Sequence, residues 1–197
     1  GLEIIERNYA ATVARGQLAQ DEMDRRISLI NGSSDFEAVA GADIVIEAVF
    51  EEMDIKKQVF GQLEQICRTD AILASNTSTL DVDEIATSVA DPSRVVGTHF
   101  FSPAHVMKLL ENVRGAKSSA ETIATVMDLG KRLGKIAALA GVCDGFIGNR
   151  ILHTYTREAN FLLEEGALPQ DIDRVMASQE DLVRIRYTLK QILCVKG

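Results

Sequence analysis

The chain has 197 residues, of which 46% are hydrophobic and 25% are charged, and its formal net charge is −8. Such values are typical of a globular protein that is long enough to bury a substantial core. The negative charge argues against nucleic acid or an anionic membrane surface as a partner, because both are polyanions.

The three cysteines, Cys67, Cys143 and Cys194, are odd in number and have no metal-ligand spacing. Reduced and mostly buried thiols explain them most simply, so we predict a reducing, cytoplasmic location. The apolar run at 44–50 is interrupted by Glu47, and no run approaches the roughly 18 apolar residues of a membrane span. We therefore expect neither a metal site nor a membrane span.

The N-terminal residues favour helices. Apolar residues at helical spacing predict a first helix over 2–13, which ends near Gly16. A second short helix is predicted over 19–26, and residues 27–30 predict a short strand that leads into a turn.

From residue 42 onward, predicted strands alternate with predicted helices. Residues 42–49 form a nearly continuous apolar run, as expected of a strand buried on both faces of a parallel sheet. The alternation predicts right-handed βαβ units in a doubly wound sheet, with ligands bound at the carboxyl ends of the strands. Further strands are predicted at 71–75, 94–100, 108–113 and 135–139, with helices at 55–67, after a capping Asp81 and after a capping Ser119.

After Gly141 the pattern changes to helices only. One helix is predicted over 146–163 with Asp144 as its N-cap, and another over 169–176. Residues 182–193 again show helical periodicity. The chain therefore divides into an α/β part over 1–142 and the beginning of an all-helical part over 143–197.

Three polar residues, Glu51, Ser78 and His99, lie at or just past the ends of predicted strands, which places them on one edge of the sheet. His99 is followed twelve positions later by Glu111. A histidine backed by a carboxylate is the arrangement of a general base with an orienting partner. The alternative for each residue is structural: a buried histidine, a turn serine, or a solvated charge at a helix start.

Three separated segments resemble the L-3-hydroxyacyl-CoA dehydrogenase family of fatty-acid β-oxidation. They are Ser-Asn-Thr-Ser at 75–78, Gly-Thr-His-Phe-Phe-Ser-Pro at 97–103 with Glu111 beyond it, and Gly-Phe-Ile-Gly-Asn-Arg at 145–150. The serine of His-Phe-Phe-Ser-Pro is more similar to the bifunctional enzymes and to bacterial 3-hydroxybutyryl-CoA dehydrogenases than to the short mitochondrial type.

This resemblance implies an NAD-dependent enzyme that interconverts L-3-hydroxyacyl-CoA and 3-oxoacyl-CoA, with a Rossmann-like NAD-binding domain, a helical domain for substrate and dimerisation, and a homodimeric assembly. The implied roles are catalysis by His99 and Glu111, substrate binding by Ser78 and Asn149, and cofactor binding by Glu51, Lys56, Ser78 and Ser102.

No Gly-x-Gly-x-x-Gly turn, which would hold the pyrophosphate of a dinucleotide, occurs in the sequence. The family pattern begins here at the helix after its second strand, so we expect a doubly wound sheet without its first βαβ portion, and impaired turnover. Two alternatives remain open at this point. The chain is a non-catalytic fragment or interaction module, or it is a dehydrogenase of another small 3-hydroxy acid.

Overall fold

The computed structural model describes residues 1–178 and divides the chain into two units after Ala38. The first unit contains α1 (Leu2–Ala14) and α2 (Gln20–Ile27). The predicted strand at 27–30 is wrong. Backbone N–H groups of residues 28–30 bond to carbonyls of the last turn of α2, so they do not take part in a strand ladder.

The second unit is built on one five-stranded sheet. Its strands lie in chain order, so each strand pairs with its neighbours in sequence. The pairs β1–β2, β2–β3 and β4–β5 are parallel, and β3–β4 is antiparallel. The strands are β1 (Ile44–Glu47), β2 (Ile72–Ser75), β3 (Val95–Phe100), β4 (Leu109–Arg114) and β5 (Ile136–Gly141).

The antiparallel pair follows from the connection between β3 and β4. A parallel neighbour requires a crossover of about a dozen residues or more, usually helical. Residues 101–108 contain no helix and only return the chain to the adjacent position. The doubly wound α/β class is confirmed, but the sheet is mixed.

Helices cover both faces of this sheet. On one face, α3 (Met53–Ile66) and α4 (Val82–Ala86) pack over a core that includes Phe60, Leu73 and Val95. On the other face, α5 (Ala120–Arg132) covers a smaller apolar cluster. Neighbouring residues of a strand therefore enter different cores, as the two-residue period of strand side chains requires.

The expectation that the first strand of this sheet is buried on both faces is wrong. β1 lies at one edge of the sheet, and Ile46 is 39% exposed, whereas Glu47 is only 4% exposed. A buried glutamate in an otherwise apolar strand requires polar partners, which are described below.

Ser119 caps α5, as the sequence predicts. Its hydroxyl accepts a hydrogen bond from the N–H of Thr122 at 3.0 Å. We expect Ser119→Ala to lower the free energy of unfolding by about 1 kcal/mol, because that N–H loses its partner. Urea denaturation measures this change, and Ser119→Asp, which keeps an acceptor, is the matched control. Equal losses in the two variants would contradict the capping role.

Two helices follow the sheet: α6 (Gly148–Glu164) and α7 (Pro169–Ser178). The predicted N-cap at Asp144 is wrong, because α6 begins at Gly148 with Ile147 as its N-cap and no side chain of its own caps it. Gly145 and Phe146 have positive φ angles of 68° and 47°, and this turn separates Asp144 from the helix. The predicted helix at 182–193 lies outside the described residues.

Candidate active site

β1, β2 and β3 are parallel and end side by side, so their carboxyl ends lie together. Below, the edge of the sheet means this row of carboxyl ends and not the outer strand β1. His99 lies near the end of β3, while Glu51 and Ser78 lie in the loops after β1 and β2. The structure thus brings these three predicted site residues to the edge at which ligands of doubly wound sheets bind.

His99 and Glu111 form a buried pair across the antiparallel strands β3 and β4. They are register partners, and Nδ1 of His99 lies 2.7 Å from Oε2 of Glu111. His99 is 6% exposed and Glu111 is 0% exposed. When Nδ1 carries the proton and donates to the carboxylate, Nε2 keeps its lone pair and accepts a proton. The pair therefore has the geometry of a general base with an orienting carboxylate.

The start of α6 binds the second oxygen of Glu111. Oε1 accepts hydrogen bonds from the backbone N–H groups of Ile147 at 3.0 Å and of Gly148 at 2.7 Å. N–H groups in the first turn of a helix have no partner within the helix. Both oxygens of this fully buried side chain are thereby hydrogen-bonded, which offsets the cost of removing it from water.

Two phenylalanine rings flank His99. The centroid of the Phe101 ring lies 4.2 Å from that of His99, and the centroid of the Phe146 ring lies 6.0 Å away. Phe146 is 2% exposed. These rings reduce the contact of the imidazole with water, which strengthens electrostatic interactions between His99 and Glu111.

Glu51 anchors the loop after β2. Its Oε1 accepts hydrogen bonds from the hydroxyl of Thr77 at 2.7 Å and from the N–H and hydroxyl of Ser78 at 2.6 and 3.0 Å. Partial burial raises the pKa of Glu51, but the donors from Thr77 and Ser78 and the charge of Lys56 outweigh it, and the pKa lies below its ordinary value. Glu51 is therefore an ionised residue at this edge of the sheet.

Lys56 lies beneath this edge rather than on the surface. Its side chain is 1% exposed, and Nζ lies 2.8 Å from Oε1 of Glu47 and 3.3 Å from Oε2 of Glu51. A buried ammonium between two carboxylates satisfies its charge within the protein. A direct contact between Lys56 and a cofactor stays a prediction, whereas its contact with Glu51 is part of the structure.

The other two predicted site residues are Asn149 and Ser102. Asn149, in the first turn of α6, donates from Nδ2 to the carbonyl of Ser78 at 3.4 Å, which connects α6 with the loop after β2. Ser102 is exposed and lies in the connection between β3 and β4. The structure thus brings Asn149 to Ser78, and it leaves Ser102 on the surface three residues after His99.

Sequence reasoning missed two residues that organise this edge. Glu47 accepts hydrogen bonds from Lys56, from the N–H of Val49 at 2.6 Å and from the hydroxyl of Ser75 at 2.7 Å. Asn76 accepts one from the N–H of Phe100 at 2.8 Å, which connects the ends of β2 and β3. The sequence signal for Glu47 is a lone carboxylate inside an apolar strand. The signal for Asn76 is an asparagine directly after an apolar strand.

In the part of the chain that the structure describes, no group of three or more His, Cys, Asp or Glu side chains is arranged to hold a metal ion. Within the same residues, no helix combines the length and the apolar character that crossing a membrane requires.

Comparison with known families identifies the chain. Residues 1–143 match the model of the 3-hydroxyacyl-CoA dehydrogenase NAD binding domain, and residues 145–182 match that of the 3-hydroxyacyl-CoA dehydrogenase C-terminal domain. The chain belongs to the 3-hydroxyacyl-CoA dehydrogenase family. The family match confirms the resemblance read from the three motifs, and it confirms that the N-terminal portion is of the NAD-binding type.

Two curated relatives show how much of a longer protein this family member matches. The peroxisomal bifunctional enzyme of Cavia porcellus is 56% identical over 144 residues, which are 73% of this chain and 20% of that protein. A peroxisomal fatty acid beta-oxidation multifunctional protein of Arabidopsis thaliana is 42% identical over 177 residues, 90% of this chain and 24% of that protein. The chain spans about a fifth to a quarter of the length of these relatives.

A solved structure of the same family agrees with the fold. The 3-hydroxybutyryl-CoA dehydrogenase of Escherichia coli K12 is 36% identical and superposes with a TM-score of 0.84, covering 89% of this chain and 37% of that one. The agreement confirms the Rossmann-like α/β fold followed by the beginning of a helical domain.

Proposed function

We propose that this chain carries the site at which L-3-hydroxyacyl-CoA is oxidised to 3-oxoacyl-CoA with NAD, as in fatty-acid β-oxidation. The observation that supports it most strongly is the buried pair of His99 and Glu111, with Nδ1 and Oε2 2.7 Å apart at the ligand-binding edge of the sheet. Membership of the 3-hydroxyacyl-CoA dehydrogenase family supports the same reaction.

Oxidation of a secondary alcohol requires removal of the hydroxyl proton as a hydride leaves the same carbon. NAD accepts that hydride when it is bound. Nε2 of His99 takes the proton, and the adjacent Glu111 carboxylate stabilises the imidazolium that forms. In the reverse direction, His99 returns the proton to the 3-oxygen. A histidine suits both directions because its ordinary pKa lies near neutrality.

The residues at this edge fit the nicotinamide ribose end of NAD. Glu51 has a partly exposed carboxylate, 37% by side chain, which can accept hydrogen bonds from ribose hydroxyls. The buried ammonium of Lys56 lies 3.3 Å from its Oε2. We assign Ser78 and Ser102 as further polar contacts of the cofactor. Because the sequence has no Gly-x-Gly-x-x-Gly turn, we expect these 197 residues alone to bind NAD weakly and to turn over slowly.

Ser78 and Asn149 are our candidates for contacts with the substrate. The hydroxyl of Ser78 and the amide of Asn149 lie on neighbouring segments, with Asn149 Nδ2 3.4 Å from the Ser78 carbonyl. The second N–H of the Asn149 amide can donate to the acyl carbonyl of a 3-hydroxyacyl thioester. The hydroxyl of Ser78 donates its one hydrogen to Glu51 in this structure, and it can turn to the 3-oxygen when substrate binds.

A substrate panel tests this function. We expect the chain with excess NAD to oxidise L-3-hydroxybutyryl-CoA, and to leave both the D-isomer and free 3-hydroxybutyrate unchanged. Formation of NADH measures the rate. Equal oxidation of the free acid would favour a dehydrogenase of small 3-hydroxy acids. No oxidation of any substrate at high protein concentration would favour the non-catalytic module.

Three further expectations stay predictions: a boundary between the two domains at 142/143, a homodimer, and a cytoplasmic location. The relatives are named for the peroxisome, and reduced thiols suit either compartment. Cys67 and Cys143 are free thiols in the structure.

A further inference from the structure

We propose that the turn 145–148 is a positioning element for the catalytic pair: the backbone N–H groups of Ile147 and Gly148 orient Glu111, so that its other oxygen faces Nδ1 of His99. This inference rests on the proposed function of His99. The turn carries two glycines, yet it follows β5 and is too short to be a dinucleotide loop.

The backbone of this turn is unusual. Gly145 has a φ of 68°, and a Cβ at this position would lie 2.6 Å from the backbone nitrogen of Arg150. Phe146 has a φ of 47°, a backbone conformation that residues other than glycine rarely adopt, and its side chain is nearly fully buried. Such conformations persist where the surrounding structure requires them, and they cluster at functional sites. Here the turn directs two consecutive N–H groups at Oε1 of Glu111.

A second contact connects the same turn to His99. A Cβ at Gly148 would lie 2.8 Å from Cζ of Phe101, whose ring centroid is 4.2 Å from that of His99. The backbone of α6 therefore packs directly against the ring that covers the imidazole. If the start of α6 moves, the position of His99 is therefore affected both through Glu111 and through Phe101.

The orientation of Glu111 determines which nitrogen of His99 carries the proton. The carboxylate accepts from Nδ1, and this leaves Nε2 as the base. If Oε1 loses its donors, the carboxylate can rotate, and Oε2 is then no longer held opposite Nδ1. The Nε2–H tautomer, which cannot accept a proton at Nε2, then gains population.

Backbone ester substitution tests this role without altering a side chain. In the full chain, the residue at 147 or at 148 is replaced by its α-hydroxy acid, so that an ester oxygen takes the place of the N–H. We expect either ester to shift the His99 tautomer ratio towards Nε2–H by up to about tenfold, the limit reached if the free energy of one hydrogen bond to a charged group passes fully to the tautomer equilibrium. Long-range ¹H–¹⁵N spectra of the neutral ring measure this ratio.

The matched control is the same substitution at Ile151, whose N–H bonds to the carbonyl of Ile147 at 3.3 Å and does not contact Glu111. We expect this ester to leave the ratio unchanged. An unchanged ratio in folded 147 and 148 esters would overturn the proposal, as would an equal shift in the 151 ester. If the 147 and 148 esters shift the tautomer ratio as expected but His99→Gln keeps the unaltered turnover, the positioning contact is supported and the proposed function is refuted. The two failures are therefore distinguishable.

Discussion

Replacement of His99 by glutamine is expected to lower NAD-dependent oxidation of L-3-hydroxybutyryl-CoA by about 10²–10⁴-fold, the usual contribution of a positioned general base. Glutamine is polar and of similar length, and its side-chain N–H₂ can still donate to Glu111. It cannot accept and return a proton at neutral pH. The loss is expected in the maximal rate at saturating NAD and substrate, because the change removes an interaction made in the transition state.

His153→Gln is the matched control for this experiment. His153 is exposed and lies on α6, five residues after Gly148. We expect its rate to equal that of the unaltered chain. A His99→Gln variant that keeps the unaltered rate, or a His153→Gln variant that loses it equally, would show that His99 is not the base.

Lys56→Met is expected to lower the free energy of unfolding by about 3–5 kcal/mol, the cost of breaking a buried ion pair from one side. The substitution leaves Glu47, whose side chain is 1% exposed, without its ammonium partner at 2.8 Å. Urea denaturation measures the change. The loss is large because Glu47 also binds the N–H of Val49 and the hydroxyl of Ser75, so it cannot easily move towards water.

Two further variants separate the buried ion pair of Lys56 from an exposed one. Lys57→Met removes a partly exposed lysine that lies 3.5 Å from Glu84, and its loss should be below about 1 kcal/mol. In the double variant Glu47→Gln/Lys56→Met no unpaired charge is buried, so we expect it to regain most of the stability lost in Lys56→Met. A Lys56→Met variant as stable as Lys57→Met would contradict the buried ion pair.

Much of the fold was predictable because its signals are local. The alternation of apolar strands and amphipathic helices predicts the doubly wound sheet, and the caps at Asp81 and Ser119 are set by residues within one turn of each helix. The edge that carries Glu51, Ser78 and His99 follows from the general rule for parallel strands. The family motif at 97–103 with Glu111 beyond it predicts that His99 and Glu111 interact, and the pairing of β3 with β4 places them side by side.

The missed features depend on partners that are distant in sequence. Asp144 looks like an N-cap, but the acceptor for the first N–H groups of α6 is Glu111, which lies on β4. Glu47 interrupts an apolar strand, and only the approach of Lys56 explains its burial. The direction of β4 depends on the absence of a helix in 101–108, and the exposure of Ile46 depends on the position of β1 at the edge. Local patterns do not contain this information.

The most direct measurement is transfer of an isotopic label. L-3-hydroxybutyryl-CoA carrying deuterium at C3 is incubated with NAD and the chain, and the cofactor is analysed by mass spectrometry, which detects even slow turnover. We expect deuterated NADH with the unaltered chain and with His153→Gln, and about 10²–10⁴-fold less with His99→Gln. Deuterated NADH at the protein-free level, or an equal amount with His99→Gln, would contradict this expectation.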